Sequence, residues 1–208
     1  MARSRTSHRW LREHFNDPFV KKAQAEGFRS RAAYKLDELL DRDRLIKPGM
    51  TIVDLGAAPG GWSQIAGRAL AGTGRVVALD ILDMPSVPLV DFIQGDFRED
   101  SAVQALELLL DGARVDLVLS DMAPNMSGVE SVDQARSMHL AELARDFALT
   151  WLKPDGDFLV KLFHGVGFDD YVRELRRHFT KVVVRKPKAS RARSNEVFAL
   201  GTGRKVDS

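Results

Sequence analysis

Asp54-Leu55-Gly56-Ala57-Ala58-Pro59-Gly60-Gly61-Trp62 follows directly on the apolar run Thr51-Ile52-Val53. A strand that ends in a glycine-rich turn and opens a helix brings main chain close to a nucleotide, because glycine carries no Cβ. The spacing is neither the G-x-G-x-x-G of dinucleotide enzymes nor the G-x-x-x-x-G-K-[ST] of a P-loop. Pro59 also removes an N–H from the segment that would cradle a pyrophosphate. The pattern suits a nucleoside without phosphate, and S-adenosylmethionine fits that description. An ordinary strand-to-helix turn is the plainer alternative.

Working outward, Asp80 ends the next apolar run, residues 75–79, about twenty residues beyond the glycines. An acidic residue at that place in a βαβ unit accepts hydrogen bonds from ribose hydroxyls. Asp96 follows the strand-like residues 91–94 and has two readings, a contact to the adenine amino group or an N-cap for the helical run 102–110. Trp62 likewise packs either on the cofactor or on the core.

Strand-like runs lie at 51–55, 75–79, 91–94, 115–120, 156–162, 181–186 and 196–200, with helical patterns at 60–70, 101–110, 132–152 and 169–179 between most of them. This alternation predicts an α/β, Rossmann-like fold: a mostly parallel seven-stranded sheet with helices on both faces. The last two runs have no helix between them and are expected to form an antiparallel edge pair. Upstream, residues 1–47 read as a basic helical arm, with Ser30 a candidate N-cap, and residues 48–208 as one compact domain. In a doubly wound sheet the site lies at the carboxyl ends of the strands, where residues 54–62, Asp80, Asp96 and Asp121 all fall.

The formal charge of +2 conceals a segregation. Residues 1–47 hold 12 Lys/Arg against 7 Asp/Glu, residues 48–172 hold 8 against 19, and residues 173–208 hold 11 against 3. Net charges of +5, −11 and +8 suggest a catalytic middle whose two ends grip a polyanion; solvated basic tails are the alternative. With no cysteine, disulfides, thiolate metal sites and a cysteine nucleophile are excluded. The five histidines show no metal-ligand spacing, so no metal is expected. The absence of a membrane-length apolar run or a signal-like N-terminus points to the cytoplasm.

Ser120-Asp121-Met122-Ala123-Pro124-Asn125 ends the fourth strand. Enzymes that methylate exocyclic base nitrogens carry an Asp/Asn-Pro-Pro-aromatic turn there, and this chain does not. A hydroxyl acceptor then needs a group to orient or remove its proton. Lys161, inside Phe158-Leu159-Val160-Lys161-Leu162-Phe163, is either solvent-facing at a strand end or placed in a site.

Several blocks in order resemble the bacterial FtsJ-type ribosomal RNA 2′-O-ribose methyltransferases over nearly the whole chain. They are Arg29-Ser30-Arg31-Ala32-Ala33-Tyr34-Lys35-Leu36, residues 54–64, residues 120–128, Lys161 with Phe163, and Ser190-Arg191-Ala192-Arg193-Ser194 leading to Glu196. The pattern departs from the family at His164-Gly165-Val166-Gly167. The resemblance implies an S-adenosylmethionine-dependent methyltransferase fold and a Lys35, Asp121, Lys161, Glu196 catalytic set. It implies cofactor contacts from Gly60, Trp62, Asp80, Asp96 and Asp121. The implied reaction moves a methyl group to the ribose 2′-hydroxyl of a uridine in large-subunit (23S) ribosomal RNA, within the 50S subunit or a late precursor, by a monomer. Arg29, Arg31, Arg191 and Arg193 are the candidate RNA contacts. A transfer-RNA or cap 2′-O-methyltransferase, a non-catalytic assembly factor and a nicotinamide-dependent reductase are the competing readings.

Overall fold

The computed structural model describes residues 17–191 and 193–206. The first sixteen residues of the arm read as helical lie outside the described residues, as do Ala192 and the last two residues.

Helix α1 (Pro18–Glu26) opens on Asp17, whose side chain accepts the Phe19 N–H while Pro18 sets the first turn. It ends at Gly27 in the left-handed region. Helix α2 (Ala33–Asp43) begins without a side-chain cap. Ser30 does not cap it, a correction to the sequence expectation. The chain instead turns tightly through residues 30–32, and the Ser30 hydroxyl is buried with no partner among the described residues.

The alternating core then follows as β1 (Thr51–Leu55), α3 (Gly61–Ala69), β2 (Arg75–Asp80), β3 (Val90–Gln94), α4 (Asp100–Leu110), β4 (Val115–Ser120), α5 (Glu130–Trp151), β5 (Leu152–Phe163), α6 (Phe168–His178), β6 (Phe179–Arg185) and β7 (Glu196–Arg204). The sheet order is β3-β2-β1-β4-β5-β7-β6. β1 to β5 run parallel, whereas β7 is antiparallel to both β5 and β6. The antiparallel pair is therefore at one edge as expected, with β7 inserted between β5 and β6.

Two apolar layers cover the sheet. On one face Leu36 and Leu39 of α2 and Ile65 and Ala66 of α3 pack on Ile52, Leu117, Leu159 and Phe198. On the other, Leu106, Ala144, Phe147 and Leu175 from α4, α5 and α6 pack on Val53, Val118 and Val160. The central strands bury both faces, which explains why they read as continuous apolar runs rather than alternating ones. α2, read from sequence as part of an arm, supplies fully buried side chains to this core.

The chain reverses its direction of travel across the sheet between β1 and β4. Ligand sites of open α/β sheets lie at such a crevice.

Candidate active site

Three turns meet there. Gly56 closes β1 with φ near +80°, and an added Cβ would sit 2.8 Å from the Met122 nitrogen. Only glycine lets the turns after β1 and β4 approach this closely. The Asp121 N–H, in turn, donates to the Leu55 carbonyl. Alongside opens a cleft of about 600 Å³, lined by Gly56, Asp80, Asp96, Asp121 and the segment 122–125.

Asp80 is held by main chain. Its Oδ2 accepts the Ala58 N–H at 2.9 Å and its Oδ1 accepts the Leu82 N–H at 2.8 Å. Each oxygen keeps a second acceptor site, which is what a ribose hydroxyl requires. Asp96 does not cap α4, whose N-cap is Glu99. Its carboxylate instead takes the Arg98 main-chain N–H and the Arg98 guanidinium, and those hydrogen bonds hold it below the usual carboxylate range against the effect of burial. Ile81 and Leu82, 54% and 64% exposed, add an apolar wall. The carboxylates of Asp80, Asp96 and Asp121 would repel a phosphate and favour a cationic, hydroxyl-rich ligand. S-adenosylmethionine fits that donor set.

The glycine turn has a second role that the sequence concealed. A Cβ on Gly60 would lie 2.9 Å from Arg29 Nη1 and Met84 Sδ, and one on Gly61 would lie 2.5 Å from Ser30 Oγ. These two glycines admit the protein's own arm. Trp62 is 2% exposed, donates its indole N–H to the Ala32 carbonyl at 2.8 Å and packs 5.6 Å from the Phe198 ring. Its ring belongs to the α2–α3 layer, leaving only main chain to reach a cofactor.

On the β5–β7 side of the cleft, strand register explains the grouping of Lys35, Lys161 and Glu196. Lys161 pairs with Phe198 and Phe163 with Glu196, so all four side chains share the face that α2 covers. Lys35 on α2 lies over the Phe198 ring and reaches Glu196, with Nζ 2.6 Å from Oε1. The Ser190 hydroxyl donates to the same Oε1 at 2.9 Å. Burial pushes the Glu196 carboxyl up, but Lys35, Lys161 and Ser190 outweigh it and hold it below the usual range. The Lys161 side chain is 8% exposed, with Nζ 2.5 Å from the Asp121 carbonyl oxygen and 3.1 Å from Oδ1. That Oδ1 receives no hydrogen bond among the described residues. Lys35, Asp121, Lys161 and Glu196, spread over 162 positions of chain, thus assemble into one network that meets the cleft at Asp121.

A family model for FtsJ-like methyltransferases matches residues 28–204. The chain belongs to the FtsJ-like methyltransferase family. Ribosomal RNA large subunit methyltransferase E of Xanthomonas euvesicatoria is 66% identical over 205 residues, covering 99% of this chain and 98% of the relative. The protein of the same name from Stenotrophomonas maltophilia matches at the same identity and coverage. Among solved structures, a Plasmodium falciparum chain assigned as a ribosomal RNA methyltransferase superposes with a TM-score of 0.77 at 27% identity. The match covers 85% of this chain and 98% of that one. A Clostridium thermocellum chain, 19% identical with a TM-score of 0.55, shares the fold.

The four arginines read as RNA contacts divide within this FtsJ-like frame. Arg31 pairs with Asp17 and donates to the Ala189 carbonyl, fastening the loop 187–195 to the arm. Arg29 bonds three carbonyls, of Pro59, Pro85 and Ser86, in the loops that follow β1 and β2. Arg191 lies 3.8 Å from Asp17 and is partly exposed, while Arg193 is exposed.

Four residues are given no role by the sequence. Ser190 sits in a basic run where serine carries no signal of its own. Arg136 and His139 reach the cleft only because α5 starts beside it. Asp54 is fully buried, bonded by Ser63 Oγ at 2.6 Å, and its carboxyl is pushed up to about 7 by burial, with Asp121 and Asp80 adding to the shift against the Ser63 bond. Among the described residues no cluster of metal-ligating side chains occurs, and no helix is long and apolar enough to cross a membrane.

Proposed function

We propose that the protein methylates the ribose 2′-hydroxyl of a uridine in large-subunit ribosomal RNA, with S-adenosylmethionine as donor. The observation that carries this reading is the side-chain nitrogen of Lys161, nearly buried at a strand end and anchored on Asp121 beside an acidic cleft. The names of the 66%-identical relatives support ribosomal RNA as the substrate. When bound, the cofactor supplies an electrophilic sulfonium methyl group.

The chain's residues do the rest. Asp80 and Asp96 hold the nucleoside end, and the turns at Gly56 and Asp121 fix the opposite end against β4. Lys161, as the neutral amine, would orient the acceptor hydroxyl and take its proton during the transfer. Asp121 orients Lys161, while Lys35 and Glu196 neutralise each other and set the field around it. Much of the rate comes from alignment, because a transfer of this kind needs attacking oxygen, carbon and leaving sulfur in line. The protein acts on the 50S subunit or a late precursor, as a monomer in the cytoplasm, and the exposed basic residues around Arg193 track phosphates.

Labelled methyl transfer to free large-subunit RNA, assembled 50S subunits and transfer RNA, followed by mapping of the modified nucleotide, tests the reading. A labelled ribose on a large-subunit uridine is the expected result. Label confined to transfer RNA, or on a base nitrogen, would overturn it.

A further inference from the structure

Resting on that reading of the cleft, we infer that Arg29 is a positioning residue for the cofactor site and not a contact to RNA. Two separate loops contribute to the nucleoside side of the cleft: the glycine turn after β1, through Gly56 and Ala58, and the segment 81–89 between β2 and β3, through Ile81 and Leu82. Asp80 joins them at one end through the Ala58 and Leu82 N–H groups. Arg29 joins them at the other. Its Nη1 donates to the Pro85 carbonyl at 2.5 Å and to Pro59 at 3.3 Å, and its Nη2 donates to Ser86 at 2.7 Å.

The guanidinium suits this task because its rigid planar fork bonds several acceptors in fixed directions. Pro59, Pro85 and Pro88 leave these loops short of N–H groups with which to hold themselves. Arg29 also presses on Gly60, where an added Cβ would lie 2.9 Å from Nη1. Its main chain is anchored in turn: Gln64 Oε1 accepts the Arg29 N–H at 2.9 Å, and Gln64 Nε2 donates to the Gly27 carbonyl at 3.1 Å. The arm is thus pinned across the start of α3, with its arginine reaching between the two walls. Met84 and Val87 are buried against Ala57 and Ala78 beneath it. Three of the five guanidinium donors are taken by protein carbonyls, the opposite of an arginine waiting for phosphate. Fixing both walls before binding removes an ordering cost that the cofactor would otherwise bear.

The test compares Arg29→Ala, Arg29→Lys and Gln64→Ala with the parent protein. S-adenosylmethionine is titrated calorimetrically without RNA, and 50S binding is measured across a salt series. Arg29→Ala is expected to weaken cofactor binding about tenfold or more, to lower kcat at saturating cofactor by less than about threefold, and to leave the salt dependence of RNA binding unchanged. Arg29→Lys restores part of the affinity, since one ammonium can reach one or two carbonyls. Gln64→Ala gives a smaller loss of the same sign and keeps the test open if Arg29→Ala fails to fold. Cofactor affinity within twofold of the parent for both alanine variants, with a shallower salt slope for Arg29→Ala, would overturn the inference. Parent protein that does not bind S-adenosylmethionine at all would instead overturn the functional reading beneath it.

Discussion

The two halves of the cleft are built by different means. On the donor side, β1, β2 and β3 are near neighbours in sequence, and main-chain N–H groups fix the key carboxylate, Asp80. On the acceptor side, residues from α2, β4, β5 and β7 meet through ion pairs between side chains. Asp80, held by backbone, tolerates exchange of the side chains at Ala58 and Leu82. A site held by paired charges fails when a single partner is removed, because the other is left nearly buried and uncompensated.

Lys161→Ala tests the acceptor half most severely. Turnover should fall by about a thousandfold or more while cofactor affinity stays within about twofold; single-turnover methylation and calorimetry read the two separately. Near-normal turnover would remove Lys161 from the reaction. Glu196→Gln comes next. It removes the negative charge that balances Lys35, and turnover should drop about 10- to 100-fold with a smaller change in cofactor binding. Equal losses in both quantities would mean that the two halves are not separable.

Asp54 links the halves from beneath. Its folded pKa of about 7 lies above the unfolded value near 3.8, so the folded state holds the extra proton between them. Stability is therefore fullest below about pH 4 in this respect and declines as pH rises through about 7, at about 1.4 kcal/mol per pH unit at most. Asp54→Asn should make the melting temperature at pH 8 several degrees higher relative to the parent than at pH 5 (about 3 °C per kcal/mol in a chain of this size). Identical pH profiles would show that Asp54 does not titrate in this range.

The smallest effect is expected at Arg193, where alanine should reduce the salt slope of RNA binding by about 0.7 to 0.9, one phosphate contact. An unchanged slope would place the phosphate track elsewhere on the surface.

This division also decided what the sequence could reveal. The donor half is written in a contiguous stretch, residues 54–62, followed by an aspartate at a fixed interval, so it could be read from local rules. Even there, the reading that Gly60 and Gly61 make room for a ligand missed that Arg29 and Ser30 occupy the same space. The acceptor half has no local signature. Nothing in the spacing of Lys35 and Glu196 brings them together, and only family resemblance paired them. Arg29 and Arg31 show a related limit: charge is visible in a sequence, whereas their carbonyl acceptors, among them Pro85, Ser86 and Ala189, are not. Most strands were legible because burial on both faces writes long apolar runs. The ends of β5 and β7 were not, since Lys153, Pro154 and Asp155 in one and Gly201 to Arg204 in the other look like turn sequence.

The position of β7 has a consequence for the order of assembly. Although last in the chain, it lies between two strands that leave the ribosome earlier, and β6 has no neighbour in the sheet until β7 enters. Glu196 is its first residue. During synthesis the nucleoside-binding half can therefore take shape on an unfinished chain, while Lys35 waits for its counter-charge until the final strand slides in. The Lys35–Glu196 pair therefore forms only once β7 has entered between β5 and β6.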